Sequence, residues 1–250
     1  MSCEQVLAWV VSRRDNESAT DHRQTLEELH EGTGAGLHSS NENEGMNLRK
    51  KTQEIVGGPY RYALFYNFPG GLRFELSGSG SPLDQALTAL RKATVICDDI
   101  FGGEERVLVH LEAFAPASRF GVRKMLRELR IAGLVIPKAR DVWLEAEDQA
   151  DDANESVYWV SCAFEDSTAK LQNLLWCAVA TDFGSSLRPN PQCRVYLFNP
   201  NKGIVVHPYD DRGMDVISGR TSTLAGLYER HKDLLLDYDI EAMHQTFARS

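Results

Sequence analysis

The sequence contains none of the short motifs that identify a common enzyme class. It has no HExxH zinc motif, no GxSxG nucleophile motif and no GxxxxGK[ST] phosphate loop. The glycine-rich run at residues 32–36 has neither the spacing of a phosphate loop nor a strand pattern before it, so we interpret it as a linker. No motif therefore names a substrate, and we expect no cofactor.

Long apolar runs and paired cysteines are also missing. No run of about 18 apolar residues occurs, and the apolar patch at residues 6–11 is too short for the core of a signal peptide. The five cysteines form no CxxC pair and lie mostly in apolar runs, which is typical of reduced thiols that pack as small hydrophobic side chains. They are Cys3, Cys97, Cys162, Cys177 and Cys193. We therefore expect a cytoplasmic protein with no membrane partner.

Positive charge is scarce. Lys and Arg number 27 against 36 Asp and Glu, which gives a formal net charge of -9 at pH 7. A protein that binds nucleic acid through its phosphates needs a basic face, so we expect no nucleic-acid partner. An acidic protein suits a basic protein partner instead. The one basic amphipathic helix predicted, at residues 118–130, is interpreted as a solvated face, with a surface for an anionic ligand or partner as the alternative. Nothing in the sequence indicates an oligomeric state.

The chain divides into a polar N-terminal segment and a globular remainder. Residues 1–45 contain too little apolar surface to offset their ordering entropy, which predicts a flexible tail, and Met46 offers an alternative start. Residues 57–247 are predicted to form a single α+β domain. We expect a mixed, mostly antiparallel sheet with helices packed on it and hairpins near both ends. The first hairpin would join residues 60–67 to residues 72–76.

Helix and strand signals are clearest in the middle of the chain. Ser81 as N-cap, Pro82 at the first helical position and Asp84 in the first turn predict a helix that ends near Gly102. Residues 106–114 follow as a strand, in which His110 is expected to be a hydrogen-bonded core or edge residue. Further strands are predicted at 142–146, 157–164, 194–199, 204–209 and 214–217.

The densest group of charges lies in the last predicted hairpin. Asp210, Asp211, Arg212 and Gly213 form a tight turn, in which Asp accepts backbone N–H groups and Gly213 would supply a positive φ. We predict that Arg212 pairs with a neighbouring aspartate at the edge of a cleft. The candidate binding residues are this turn with its flanks and two residues of the first hairpin: Tyr209, Asp210, Asp211, Arg212, Asp215, Arg73 and Glu75.

Three interpretations of this charge cluster stay open at the level of sequence. Solvated turn chemistry explains it without any ligand. Alternatively, Asp210, Asp211 and Asp215 with His207 hold a divalent ion through oxygen, or Arg212 clamps an anionic group. None of these arrangements has a diagnostic spacing.

The stretch Tyr-Asp-Asp-Arg-Gly-Met-Asp-Val at residues 209–216 resembles the C-terminal signature of an uncharacterised bacterial family, a domain of unknown function. The resemblance extends upstream to Phe65-Tyr66-Asn67 and to the run at residues 71–76, so it covers about residues 60–247. Because that family has no established activity, the resemblance implies a fold unit and a location for the site rather than a function.

Two classes of function follow from the sequence. The first is a non-catalytic protein-binding module of the immunity type, which is favoured by the acidity and by the lack of a catalytic motif. The second is a metal-assisted hydrolase or phosphoryl-handling enzyme that uses the aspartates at 210–215, which is favoured only by the density of carboxylates.

Overall fold

The computed structural model describes residues 47–60, 62–114, 119–146 and 158–247. Its strands are β1 (Leu72–Glu75), β2 (Arg106–Phe114), β3 (Arg140–Ala146), β4 (Tyr158–Ser167), β5 (Arg194–Asn199), β6 (Ile204–Pro208) and β7 (Gly213–Ser218). Its α-helices are α1 (Leu48–Val56), α2 (Leu64–Asn67), α3 (Pro82–Phe101), α4 (Arg119–Ile131), α5 (Leu171–Val179), α6 (Ala225–Arg230) and α7 (Ile240–Phe247). Short 3₁₀ turns flank α5 and connect β7 to α7.

All seven strands belong to one antiparallel sheet, in the order β1-β7-β6-β5-β2-β4-β3. Strands β5, β6 and β7 form a meander, whereas β1 reaches the edge beside β7 although it is first in the chain. This confirms the α+β class and the mostly antiparallel sheet. The predicted tail at 1–45 and Cys3 lie outside the described residues, and the single domain predicted for 57–247 stays a prediction.

The two faces of the sheet bury different sets of side chains. On one face, Val107, Val109 and Leu111 of β2 pack with α3, α5 and the C-terminal helices in the larger core. On the other face, Leu108 joins Val205 and Ile217 in a smaller core, which α1 and α2 close with Leu48, Val56 and Leu64. Helix α1 thus lies upstream of residue 57 and packs on the sheet. The candidate site lies on this second face of the sheet.

The predicted N-terminal hairpin does not form. Residues 64–67 make the short helix α2, whose N-cap Ala63 takes a left-handed conformation with φ 62°. Strand β1 pairs with β7 instead, with Leu72 opposite Val216 and Glu75 opposite Gly213. The helical turn places Leu64 completely inside the smaller core. An extended strand at the edge of the sheet would not place this side chain there.

Helix α3 begins where the sequence predicts. The Ser81 hydroxyl accepts from the backbone N–H of Asp84, and the Asp84 carboxylate accepts from the backbone N–H of Ser81, which completes a capping box. The buried face of α3 includes the small residues Ala86, Ala89 and Ala93. Leu83 and Leu87 are half exposed. Small side chains on this helix suit its close packing against α5.

In the part of the chain that the structure describes, no helix is both long enough and apolar enough to cross a membrane. The four cysteines within that part are all buried. Burial raises the pKa of the Cys193 thiol to about 12, so this residue packs as a small hydrophobic side chain, as the sequence predicts.

Candidate functional site

A row of polar side chains crosses the face of the sheet that α1 and α2 cover. Arg73 lies opposite Asp215, Asp215 lies opposite His207, and His110 lies opposite Tyr196 in the strand register. The rings of His207 and Tyr196 stack with their centroids 4.1 Å apart, which joins the two halves of the row. Because alternate residues of a strand point to the same face, one residue from each of five neighbouring strands contributes to this row.

The centre of the row is a stack of four rings, of which His110, Tyr196 and His207 are buried and Trp143 is partly buried. Trp143, His110, Tyr196 and His207 stack in succession, with centroid distances of 4.9, 5.2 and 4.1 Å. Burial lowers the pKa of His110 to about 3 and that of His207 to about 4, so both rings are neutral at pH 7. His207 Nδ1 donates to the Val195 carbonyl at 3.0 Å, and His110 Nδ1 lies 2.7 Å from the Tyr60 hydroxyl. His110 is thus the hydrogen-bonded core residue that the sequence predicts.

At one end of the row, Arg73 joins four elements. Its Nε lies 3.2 Å from Asp215 Oδ1, and its Nη1 donates to Asp239 Oδ2 at 3.0 Å and to the Tyr66 hydroxyl at 2.6 Å. The backbone N–H of Phe65 donates to Asp215 Oδ2 at 3.1 Å. We call Arg73, Asp215, Asp239 and Tyr66 the Arg73 cluster. It links β1, β7, α2 and the 3₁₀ turn Asp237–Asp239.

The Arg73 cluster shares one guanidinium between two carboxylates. Burial raises the pKa of Asp215 to about 6, against the Phe65 N–H and the Arg73 charge, which both lower it. Burial alone would lower the pKa of Arg73, but Asp215 and Asp239 raise it above its usual value, so Arg73 stays charged. Rings surround the guanidinium, with the centroids of Tyr66 and Tyr209 4.8 and 5.2 Å from Arg73 Cζ.

A second arginine lies beside the ring stack. Arg194 Nη1 donates to Glu112 Oε2 at 2.9 Å, across neighbouring positions of β5 and β2. Its guanidinium carbon lies 4.0 Å from the Trp159 ring centroid and 4.8 Å from that of Tyr62. Tyr62 also contacts the His207 ring edge-on at 5.8 Å. Arg194 thus extends the site from the ring stack to the exposed Tyr62 ring.

The turn between β6 and β7 has its own ion pair. Arg212 pairs with Asp210 through its guanidinium, and its backbone N–H donates to Asp210 Oδ1 at 2.7 Å. Asp182 Oδ2 lies 3.2 Å from Arg212 Nη2. The predicted pairing of Arg212 with a neighbouring aspartate is therefore present. It involves the buried Asp210 and not Asp215.

The predicted reason for Gly213 is wrong. Gly213 is not among the residues with positive φ. A side chain is excluded there because a Cβ would overlap the Tyr209 ring and lie 3.0 Å from the Phe74 carbonyl oxygen. Gly213 is needed for this close approach rather than for a left-handed turn.

The structure separates the predicted site residues into groups. Arg73, Tyr209 and Asp215 meet in or beside the Arg73 cluster, whereas Asp210, Asp211 and Arg212 lie in the turn. Burial and the neighbouring Asp210 raise the pKa of Asp211. Glu75 accepts from the Ser77 hydroxyl at 2.8 Å.

The divalent-ion site, which is one of the three open interpretations of the charge cluster, is not formed by the described residues. Within the described ranges, no group of three or more His, Cys, Asp or Glu side chains is arranged to hold a metal ion. The reason is that Asp215 lies inside a strand and faces Arg73, whereas Asp210 lies in the turn and faces Arg212.

Several residues of the site were missed at the level of sequence. They are Tyr62, Tyr66, Glu112, Trp159, Arg194 and Asp239. Glu112 carried a partial signal, since it is a carboxylate within an otherwise apolar strand pattern. Asp239 carried none, because it lies 166 residues from Arg73 in the chain.

Comparison with known proteins gives a family but no activity. No curated protein and no solved structure matches the chain. A family model described as "Domain of unknown function (DUF3885)" matches residues 48–239, which include α1, every strand and the whole Arg73 cluster. The chain therefore belongs to the DUF3885 family of domains of unknown function.

Proposed function

We propose that the protein is a non-catalytic binding module that recognises a basic protein partner, in the manner of an immunity protein that neutralises a toxin. The binding site is the surface formed by Tyr62, Tyr66, Trp159, Arg73 and Arg194, which we call the aromatic–arginine surface. One observation supports the proposal most directly. The exposed rings of Tyr62 and Tyr66 contact Arg194 and Arg73, and both arginines are already paired with carboxylates.

The composition of the aromatic–arginine surface supports protein binding. Tyr62 and Tyr66 expose 48% and 56% of their area, so both rings are accessible to a partner. Tyrosine, tryptophan and arginine are the residue types that contribute most to binding energy at protein interfaces. Phe114, which contacts Trp159 edge-on at 5.7 Å, is also half exposed and extends the same surface.

The surface is also ordered before any partner binds. Glu112 and Trp159 hold Arg194 from two sides, and the two aspartates of the Arg73 cluster hold Arg73. Side chains that are already fixed lose less conformational entropy on association. A pre-ordered aromatic surface of this kind is therefore suited to binding a protein partner.

Charge favours a basic partner. Both arginines of the surface are paired with carboxylates, and the chain as a whole has a formal net charge of -9. A positively charged partner is therefore attracted over a distance of about a Debye length, which raises its association rate. The same charge repels nucleic acid.

Site-specific photo-crosslinking tests the proposal. A photoreactive phenylalanine analogue replaces Tyr62 or Tyr66, and, as a matched control, the exposed Val135 in the loop before β3. We expect one basic protein from the native cells to crosslink at positions 62 and 66 and not at 135. Its binding to the purified protein should weaken at least tenfold in Arg194→Ala and Tyr66→Ala, as for central interface residues. Equal crosslinking at position 135, or a partner that binds these variants normally, would contradict the proposal.

A further inference from the structure

The 3₁₀ turn Asp237–Asp239 carries the exposed Tyr238 and is held against the edge of the sheet. The preceding residues pair with the edge of the sheet, since Leu236 N donates to the Arg73 carbonyl at 2.9 Å and Leu235 bridges Phe74. Tyr238 is 86% exposed, the largest value among the exposed large hydrophobic side chains of the described chain. A rigid turn thus holds an aromatic ring in solvent.

Tyr66 lies next to this turn. Its hydroxyl donates to both carboxylate oxygens of Asp239 at 3.3 Å, and its ring is more than half exposed. We call Tyr66, Asp237, Tyr238 and Asp239 the C-terminal corner. Two exposed tyrosines and an exposed carboxylate, Asp237, therefore share one region at the end of the aromatic–arginine surface.

The charges beneath the corner do not balance. Asp215 and Asp239 share the single guanidinium of Arg73. Asp215 Oδ1 is fully buried and receives no hydrogen bond; its contact with Arg73 Nε is an ion pair without hydrogen-bond geometry. Asp237 adds a further negative charge, so an additional cation would be attracted here.

We propose that the C-terminal corner binds a cationic side chain, arginine or lysine, of the basic partner. This inference rests on the proposed function and identifies which chemical group of the partner the site recognises. Exposed tyrosine rings attract a cation through their faces, and a neighbouring carboxylate accepts a charge-assisted hydrogen bond from it. The partner's cation offsets the negative charge of the carboxylates that Arg73 alone does not neutralise.

Titration with an oligoarginine peptide tests the corner without the natural partner. Oligoglutamate at the same ionic strength is the charge-reversed control, because exposed charges are screened by salt. We expect oligoarginine to shift the NMR signals of the Tyr66 and Tyr238 rings and oligoglutamate to leave them unchanged. The absence of any shift with oligoarginine would overturn the inference.

Variants at exposed positions keep the test independent of folding. Asp237→Asn and Tyr238→Ala should together weaken oligoarginine binding by about tenfold, which corresponds to about 1.4 kcal/mol. The matched controls are Glu105→Gln, an exposed carboxylate at the start of β2, and Val135→Ala. If the controls weaken binding as much as the corner variants, the peptide is binding to net charge and the inference is wrong.

The two experiments fail in different ways. A peptide that binds the corner while no protein crosslinks at positions 62 and 66 leaves the cation site in place and contradicts the proposed function. A basic partner that crosslinks there, and that binds the double variant Asp237→Asn/Tyr238→Ala with normal affinity, contradicts only the cation site.

Discussion

At Gly213 the backbone of β7 passes directly against the Tyr209 ring. A Cβ would overlap the hydroxyl of Tyr209 and approach the Phe74 carbonyl oxygen to 3.0 Å. The carbonyl belongs to β1, which is paired with β7 and has little freedom to move. The tyrosine ring would have to leave its place beside Arg73 to admit even a methyl group.

We therefore expect Gly213→Ala to lower the free energy of unfolding by about 1 to 3 kcal/mol, as overpacking does. The control is Gly219→Ala, whose Cβ would meet only the Ile55 carbonyl oxygen at 3.8 Å, an ordinary contact. That variant should change stability by no more than about 0.5 kcal/mol. Urea denaturation of both variants gives the comparison. Equal effects at the two positions would show that the contact with Tyr209 is not the cause.

Asp215 makes stability depend on pH. Its pKa in the folded protein is about 6, against an ordinary value of 3.8, because the carboxylate is buried. The folded state therefore binds the proton more tightly than the unfolded state does. This contribution to stability is fully present below the unfolded pKa and is lost as the pH rises through about 6.

Asp215→Asn should remove this pH dependence. We expect the free energy of unfolding of the native protein, relative to the variant, to fall by about 2 to 3 kcal/mol between about pH 4 and about pH 7. Urea denaturation at several pH values measures the two slopes. Parallel curves for the native protein and Asp215→Asn would assign the titration to another group.

At the scale of elements, the turn between β6 and β7 depends on Asp210. Its Oδ1 accepts the backbone N–H of Arg212, while Oδ2 pairs with the Arg212 side chain. The contact with the backbone N–H fixes the conformation of the turn, whereas the ion pair with the Arg212 side chain lies on its exposed side. An asparagine keeps the first contact because its amide oxygen also accepts a hydrogen bond.

Asp210→Asn should therefore cost no more than about 1 kcal/mol, whereas Asp210→Ala should cost about 1 to 3 kcal/mol, since the part-buried Arg212 N–H loses its acceptor. Thermal melting followed by circular dichroism measures both. Asp182→Asn, which removes only the outer partner of Arg212, is the control and should be nearly silent. A loss in Asp210→Asn as large as that in Asp210→Ala would show that charge, not the backbone contact, holds the turn.

The elements that sequence predicts are those with local signals. The capping box of α3 lies within four consecutive residues, and the hairpin of β6 and β7 spans one short turn. Strand β1 was placed correctly, but its partner was not, because its pairing with β7 joins residues far apart in the chain. Residues 60–67 have strand-like composition, yet burial of Leu64 in the smaller core favours a helical turn.

The candidate site divides in the same way. Arg73, Tyr209 and Asp215 could be selected as polar residues next to apolar strand patterns, and they do meet. Asp239 and Arg194 could not be, since their contacts with Arg73 and Tyr62 depend on the packing of the whole chain. A charge cluster in sequence therefore identified one end of the site but not its aromatic surface.

At the scale of the whole molecule, the Arg73 cluster ties together parts that are distant in the chain. Arg73 on β1 holds Asp215 of β7 and Asp239 of the C-terminal turn, and Asp215 in turn receives the N–H of Phe65 in α2. The Arg73 side chain is only 15% exposed and Asp215 is not exposed at all. The pair is therefore close to a buried salt bridge, in which loss of one partner leaves the other uncompensated.

Arg73→Ala should consequently lower the free energy of unfolding by about 3 to 5 kcal/mol. The control is Arg106→Ala, because Arg106 is 60% exposed and its pair with Glu165 should contribute no more than about 1 kcal/mol. Adding Asp215→Asn to Arg73→Ala removes the stranded carboxylate and should recover part of the loss, a coupling that a double-mutant cycle measures by urea denaturation. Strictly additive effects would show that Arg73 stabilises the protein through its other contacts, which are the pair with Asp239 and the rings of Tyr66 and Tyr209. Recovery at neutral pH that disappears at about pH 4, where Asp215 is protonated in any case, would identify the buried charge as the cause.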